Sequence, residues 1–386
     1  MPRPILFLSD SVSCSSGLGR ITRDLAQRVH DHCGDAFRVG TVGYGGPGSR
    51  KFPWTEYHLH RVDNWLTPEL PEIAEDFAAG EDLILMCVWD ASRLYWLGQP
   101  SLCPLTHLRK FAERRDIEKW IYGAIDAEGP LSKVPHSIAN TYKGFQRVLD
   151  YSKFSTQVTG HKEFIPHGVS SSVFYPRDQY KARNILIQQG FTCLTRHSIL
   201  IGCVATNQER KNWPLLMQTA RILRDRGVNL TLWCHTDAVD RYWSIHNLVE
   251  DYGLVGRVAV TMGRLTDDAM AEMYSACNVT LAIAPEGFGY APAESLACGV
   301  PVVAGSYGAQ AEFIPDEFLV DPVAFSYAGA YCSKRPVYDP EQWADAVERI
   351  DEKYWNVERK SLLPPAFDWD GDSLWKRWEE WFRRGL

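Results

Sequence analysis

A chain of 386 residues is too long for one compact core and suits two domains of ordinary size. Hydrophobic residues make up 45% and charged residues 23%, which excludes a disordered chain; a net charge of −7 argues against a partner held mainly through nucleic-acid phosphates. The ten cysteines form no CxxC pair and no zinc-like Cys/His spacing, so reduced, mostly buried thiols in a cytoplasmic protein are expected.

Met1-Pro-Arg-Pro leads into a short apolar run, 5–9, too brief for a signal-peptide core and read as a buried strand. No apolar run approaches the length of a membrane span. Gly17-Leu18-Gly19 follows, then an amphipathic helix over 21–29 and a second strand over 38–42. Residues 82–88 (DLILMCV) are continuously apolar, the mark of a central parallel strand. Strands are also expected at 120–125, 147–151 and 163–165. Their alternation with helices predicts an α/β, doubly wound parallel sheet. The irregular segment from Pro166-His167-Gly168 to Phe174-Tyr175-Pro176 closes this domain, which is expected to span 1–168.

The pattern then restarts. Helices are expected at 179–189, 213–226, 241–252, 267–276 and 291–298. Strands are expected at 198–204, 229–234, 258–261, 279–283 and 302–304. They predict a second doubly wound domain over 169–365. The remaining segment, 366–386, carries Trp375, Trp378 and Trp381 at three-residue spacing, one face of a helix. That helix is expected to pack as core and can cross back to the first domain.

Ligands of open α/β sheets bind beyond the carboxyl ends of the strands, so the loops after strands carry the chemistry. The strongest block is Pro285-Glu286-Gly287-Phe288-Gly289-Tyr290-Ala291-Pro292-Ala293-Glu294. Its glycines let backbone amides approach a ligand, and a helix beginning near Pro292 offers free amides to an anion. Glu294 in the first turns can accept hydrogen bonds from two vicinal hydroxyls, and Glu286 sits on the preceding loop. The plain alternative is a glycine turn before a helix with an acidic first turn. In Asn207-Gln208-Glu209-Arg210-Lys211-Asn212, two adjacent cations after a strand suit a diphosphate leaving group. A solvated helix start is the alternative. Ser13-Cys14-Ser15-Ser16-Gly17-Leu18-Gly19-Arg20 is a glycine loop without the GxGxxG spacing of a dinucleotide site. Asp10 before it is either an acceptor contact or a structural cap. Asp126 and Glu128 follow the strand at 120–125 and reach its carboxyl edge, where a turn role is the alternative. There is no HExxH and no elbow motif, and Asp267-Asp268 starts a helix rather than a metal site. No metal is expected.

Glu286 and Glu294, seven residues apart within EGFGYAPAESLACGVPVVA, closely resemble the E-x7-E motif of family 4 glycosyltransferases. Ser16-Gly17-Leu18-Gly19-Arg20 resembles that family's N-terminal glycine loop. Phe164-Ile165-Pro166-His167-Gly168-Val169 resembles its linker, and Thr261-Met262-Gly263-Arg264-Leu265 its base-binding loop. The resemblance implies a GT-B fold, two Rossmann-like doubly wound domains facing across a cleft. It implies a retaining transfer of a hexose from a UDP- or GDP-sugar to a hydroxyl acceptor, with no cofactor beyond that co-substrate. It places Glu294 on the donor ribose and the amides of Gly287, Phe288, Gly289 and Tyr290 on sugar hydroxyls and phosphate. Arg264, Leu265, Gly17 and Gly19 complete the donor side, and Glu286, Arg210, Lys211 and Asp126 the catalytic set. Relatives carry an arginine a few residues before the lysine; here Ala205-Thr206-Asn207 stands there, leaving Arg210 to substitute. Relatives also carry a histidine near the position of Asp126. A nucleotide-sugar epimerase and a catalytically dead nucleotide-sugar binder are the alternatives. A glycan, a small molecule, a protein or a modified DNA base remain open as acceptors. The loop at 43–53 has no readable code, and no basic amphipathic helix marks a membrane partner.

Overall fold

Aliphatic runs buried on both faces need helices above and below them, and this chain supplies two such sheets. The computed structural model describes every residue except Ser15, Pro47, Ser49, Asp63, Asn64, Arg196 and 355–358; for 351–354 it describes the backbone alone. Ser15 of the glycine loop and Pro47 and Ser49 of the 43–53 loop therefore lie outside the described residues.

The first unit comprises Met1–His167 and Ser373–Leu386. Its strands are β1 (Arg3–Asp10), β2 (Phe37–Tyr44), β3 (Thr55–Leu59), β4 (Leu83–Cys87), β5 (Ile117–Gly123) and β6 (Arg147–Asp150). All pair in parallel, in the order β3-β2-β1-β4-β5-β6. β1 is central: Leu8 lies opposite Val42 on one side and Cys87 on the other, and Ile5 to Leu8 are fully buried. The edge strand β3 had no apolar run to announce it; Glu56 and His58 interrupt its sequence. The strand expected at 163–165 does not form. A single bridge joins Phe164 to Asp150, because the chain turns away toward Pro166 after one pairing. The first helix, Gly17–Cys33, starts at the glycine loop itself rather than at residue 21, with Ser16 as its cap accepting from the Gly19 amide.

The tryptophan-spaced helix Asp372–Arg383 buries Trp375, Trp378, Trp381 and Phe382. The Trp378 indole donates to Pro166 O at 3.0 Å, and the Arg147 guanidinium sits 4.1 Å from the Trp381 ring and 4.4 Å from Trp120. From Ser373 onward this helix belongs to the first unit.

The second unit, Gly168–Asp372, holds β7 (Ile199–Val204), β8 (Leu230–Thr236), β9 (Val258–Met262), β10 (Val279–Ala282), β11 (Val302–Gly305) and β12 (Leu319–Val320). Their order is β12-β11-β10-β7-β8-β9, again parallel. A hairpin of β13 (Ala324–Ala328) and β14 (Ser333–Val337) and a helix, Pro340–Tyr354, follow; neither had been expected. The helix expected at 241–252 shortens to Ile245–Asp251, because Ser244 caps it and the residues before it bend back. Seven of the ten cysteines are buried and none is bonded to another. Burial pushes the Cys33 thiol up to about 11. Among the described residues no helix is long and apolar enough to cross a membrane.

Candidate active site

In the second sheet the chain runs from β7 outward through β8 and β9, then returns to β10 on the other side of β7. The strand order reverses between β7 and β10, and a crevice opens beyond their carboxyl ends at such a point. The two segments singled out in sequence lie there, one after each strand.

After β7, Asn207 anchors the loop. Its side chain donates to Trp243 O at 2.7 Å and accepts from Trp243 N at 2.9 Å. A short turn, Glu209–Lys211, and Asn212 at φ 42 then swing the chain into the helix Trp213–Asp225. Asparagine tolerates that left-handed backbone better than most residues. After β10, Glu286 is held through its backbone. Its amide donates to Gln310 Oε1 at 2.9 Å, and its carbonyl accepts from Ala309 N at 3.0 Å.

The side chains then converge. Glu286 Oε1 accepts from Lys211 Nζ, and Oε2 lies 3.5 Å from Arg210 Nη1, which also donates to Pro285 O at 3.0 Å. The Lys211 side chain is only 8% exposed and that of Glu286 25%. Burial pushes the Glu286 carboxyl up, but the charges of Lys211 and Arg210 outweigh it and hold the group below its ordinary value of 4.5. Glu286 is therefore ionised at neutral pH. Two cations against one carboxylate leave the group with one net positive charge.

Gly289 follows at φ 100 and caps the helix Tyr290–Ala297. A Cβ there would stand 2.9 Å from Pro292 Cγ, so glycine is required. The helix starts at Tyr290, one residue before the expected span of 291–298, and puts Glu294 in its second turn. Glu294 is 4% exposed, and its Oε2 accepts from Tyr274 Oη at 2.9 Å. The Phe288 ring packs 5.3 Å from Phe313 and 6.2 Å from Phe367, so it serves as core. Gly287 is buried beside it and Tyr290 is half-buried.

Arg264, exposed, and Leu265, half-buried, follow β9, two strands from β7. Gly17, Gly19 and Asp126 belong to the first unit. Gly19 has a packing reason of its own: a Cβ would meet Ser11 O at 2.4 Å. Asp126 is half-buried, three residues beyond the end of β5. Asp10 accepts from the Trp89 indole at 2.8 Å and lies 3.3 Å from Arg93. Sequence reasoning missed Gln310 and Tyr274, which hold Glu286 and Glu294 in place; neither carries a local signal, because each acts across about twenty residues of chain. Among the described residues no group of three or more His, Cys, Asp or Glu side chains is placed to hold a metal ion.

Residues 198–352 match the family model of the glycosyl transferases group 1. The matched segment opens at β7 and contains Arg210, Lys211, Glu286 and Glu294. Solved structures resemble the chain over nearly its whole length. Sucrose-phosphate synthase from Thermosynechococcus elongatus aligns with a TM-score of 0.72 at 17% identity, covering 99% of this chain and 98% of that one. HepE from Anabaena, in complex with UDP and glucose, gives 0.73 at 16% over 99% and 100%. The catalytic domain of starch synthase IV from Arabidopsis thaliana, bound to ADP and acarbose, gives 0.67 at 11% over 100% and 99%. These likenesses establish the fold, which is GT-B. Sucrose synthase 1 from Oryza sativa subsp. japonica is 29% identical over 133 residues, 30% of this chain and only 16% of that protein's length.

Proposed function

We propose that this protein transfers a hexose from a UDP- or GDP-sugar to a hydroxyl acceptor with retention of anomeric configuration. The observation that carries the reading is the Lys211–Glu286–Arg210 group at the strand-order reversal of the matched segment. As the bond from the sugar to the diphosphate breaks, negative charge grows on the leaving oxygen. The Lys211 ammonium and the Arg210 guanidinium offset it, aided by the amides around Gly289. Glu286 orients both cations and, being ionised, is suited to accept hydrogen bonds from the sugar rather than to donate a proton. The departing diphosphate itself takes the acceptor proton on the same face of the sugar, so no enzymic nucleophile is needed. Glu294 takes the ribose hydroxyls, steadied by Tyr274. Arg264 and Leu265 border the base, and Gly17, Gly19 and Asp126 serve the reacting sugars. No metal is required in this scheme, because the two cations and the helix start serve the diphosphate.

The test is proton NMR of the protein with UDP- and GDP-hexoses in the presence of EDTA and a panel of sugar acceptors. The reading expects release of a nucleoside diphosphate and a product with the donor's anomeric configuration. Inverted product, or turnover only after Mn²⁺ or Mg²⁺ is restored, would reject the mechanism. No turnover of any donor would reject the activity.

A further inference from the structure

The first sheet has a reversal point of its own. From β1 the chain goes outward through β2 and β3, then returns to β4 on the other side of β1. In open α/β sheets ligands bind at such a reversal, here beyond the carboxyl ends of β1 and β4. Asp10 ends β1, and Trp89, Asp90 and Arg93 follow β4. They are tied together. Asp10 Oδ1 accepts from the Trp89 indole and lies 3.3 Å from Arg93 Nη1, and Arg93 Nε lies 3.1 Å from Asp90 Oδ2.

On this group rests Trp65. The Arg93 guanidinium sits 4.2 Å from its ring centroid, and the ring meets Trp89 edge-on at 6.4 Å and 73°. Trp65 O accepts from the Trp96 indole at 3.2 Å. Trp89 and Trp96 are fully buried, but Trp65 is 41% exposed. Its φ of 66 lies in the left-handed region, which is costly for a bulky side chain. The chain thus accepts backbone strain to hold an indole partly in water at a ligand-binding edge. A ring needed only for the core would be buried like its two neighbours.

We propose that the face of Trp65 opposite Arg93 is the stacking platform for a sugar ring of the acceptor. The C–H face of a pyranose is apolar and faintly positive, and the indole face is negative, so the two attract. Asp90, whose side chain is 41% exposed, accepts hydrogen bonds from the ring's hydroxyls. The acceptor is then a carbohydrate rather than a lipid or a nucleic acid. This rests on the glycosyl-transfer reading, since it names that reaction's second substrate.

Saturation-transfer NMR tests it, with methyl α-glucoside, methyl β-galactoside, maltose and sucrose as probes and adenosine as the competing planar ligand. Trp65→Gly removes the ring and suits the backbone, and Trp65→Tyr keeps an aromatic face. Transfer to the ring C–H protons of at least one saccharide is expected. It should drop about fivefold or more in Trp65→Gly and recover in Trp65→Tyr. No transfer to any saccharide, equal transfer in Trp65→Gly, or Trp65-dependent transfer to adenosine alone would overturn the inference. Calorimetry of the wild-type protein with UDP and GDP reads the donor site separately. Nucleotide binding without saccharide contact sinks this inference alone; absence of both sinks the glycosyl-transfer reading.

Discussion

Lys211 is almost wholly buried and its ammonium spends its charge on Glu286, whereas Arg210 keeps more contact with solvent. The difference ranks the two cations. Charge held in a dry, fixed position acts more strongly on a developing anion than charge that must reorganise. Lys211→Ala should lower kcat/KM by about a hundredfold or more, and Arg210→Ala by roughly tenfold. Melting temperatures measured alongside separate catalysis from folding; losses that track unfolding would make the pair structural. Asp126 is half-buried on a loop, where an aspartate also serves as a turn residue. If its charge touches the reacting sugars, Asp126→Asn should cut kcat by about tenfold with an unchanged melting temperature. Near-normal turnover would remove it from the site. At this scale the sequence singled out Arg210, Lys211 and Glu286, which the structure brings together on the loops after β7 and β10, and Glu294, which lies in the helix that follows. It was silent on Gln310, Tyr274 and Trp65, whose roles come from contacts distant in sequence.

The elements with apolar runs were readable, and those without them were not. LILMC within DLILMCV forms β4, and the Trp375-Trp378-Trp381 spacing forms a helix with that face buried. The polar strand β3, the exposed hairpin β13–β14 and the single bridge at Phe164 depend on neighbours rather than on period. The glycine loops were read as ligand contacts, yet each also answers a steric demand. Gly289 is the sharper example, with a left-handed backbone and with Pro292 and Glu286 where a Cβ would stand. Gly289→Ala should destabilise the second unit by about 1–3 kcal/mol, the usual range for a strained backbone position. It should also misplace Glu286. Chemical denaturation measures the first effect and donor turnover the second; a variant with normal stability and turnover would show the turn to be tolerant.

The alternation of strands and helices made two doubly wound sheets readable from the whole chain, and the irregular segment near His167 separated them. His167 itself reports on stability. It is buried against Tyr122, with Nδ1 3.0 Å from the Tyr122 oxygen. Burial, and then the charge of Arg20, hold its imidazole well below the ordinary 6.5. As pH falls, the unfolded chain takes up this proton before the folded one does. The histidine's contribution is therefore intact above about pH 6.5 and is lost progressively below it. His167→Asn should flatten the fall in melting temperature between about pH 7 and 5; parallel curves for the two proteins would contradict this. The acceptor was not legible, because the loop at 43–53 carries no readable pattern.

In the proposed function the loops after β7 and β10 hold a nucleoside diphosphate through Glu294 and the Lys211–Arg210 pair. Calorimetric titration of UDP and GDP into the wild-type protein and into Glu294→Ala tests it most directly. Saturable binding of at least one nucleotide to the wild-type protein is expected, weakened by about 1–3 kcal/mol in the variant, the range for hydrogen bonds to a charged group. Equal affinity in the two proteins, or no binding of either nucleotide to the wild type, would contradict it.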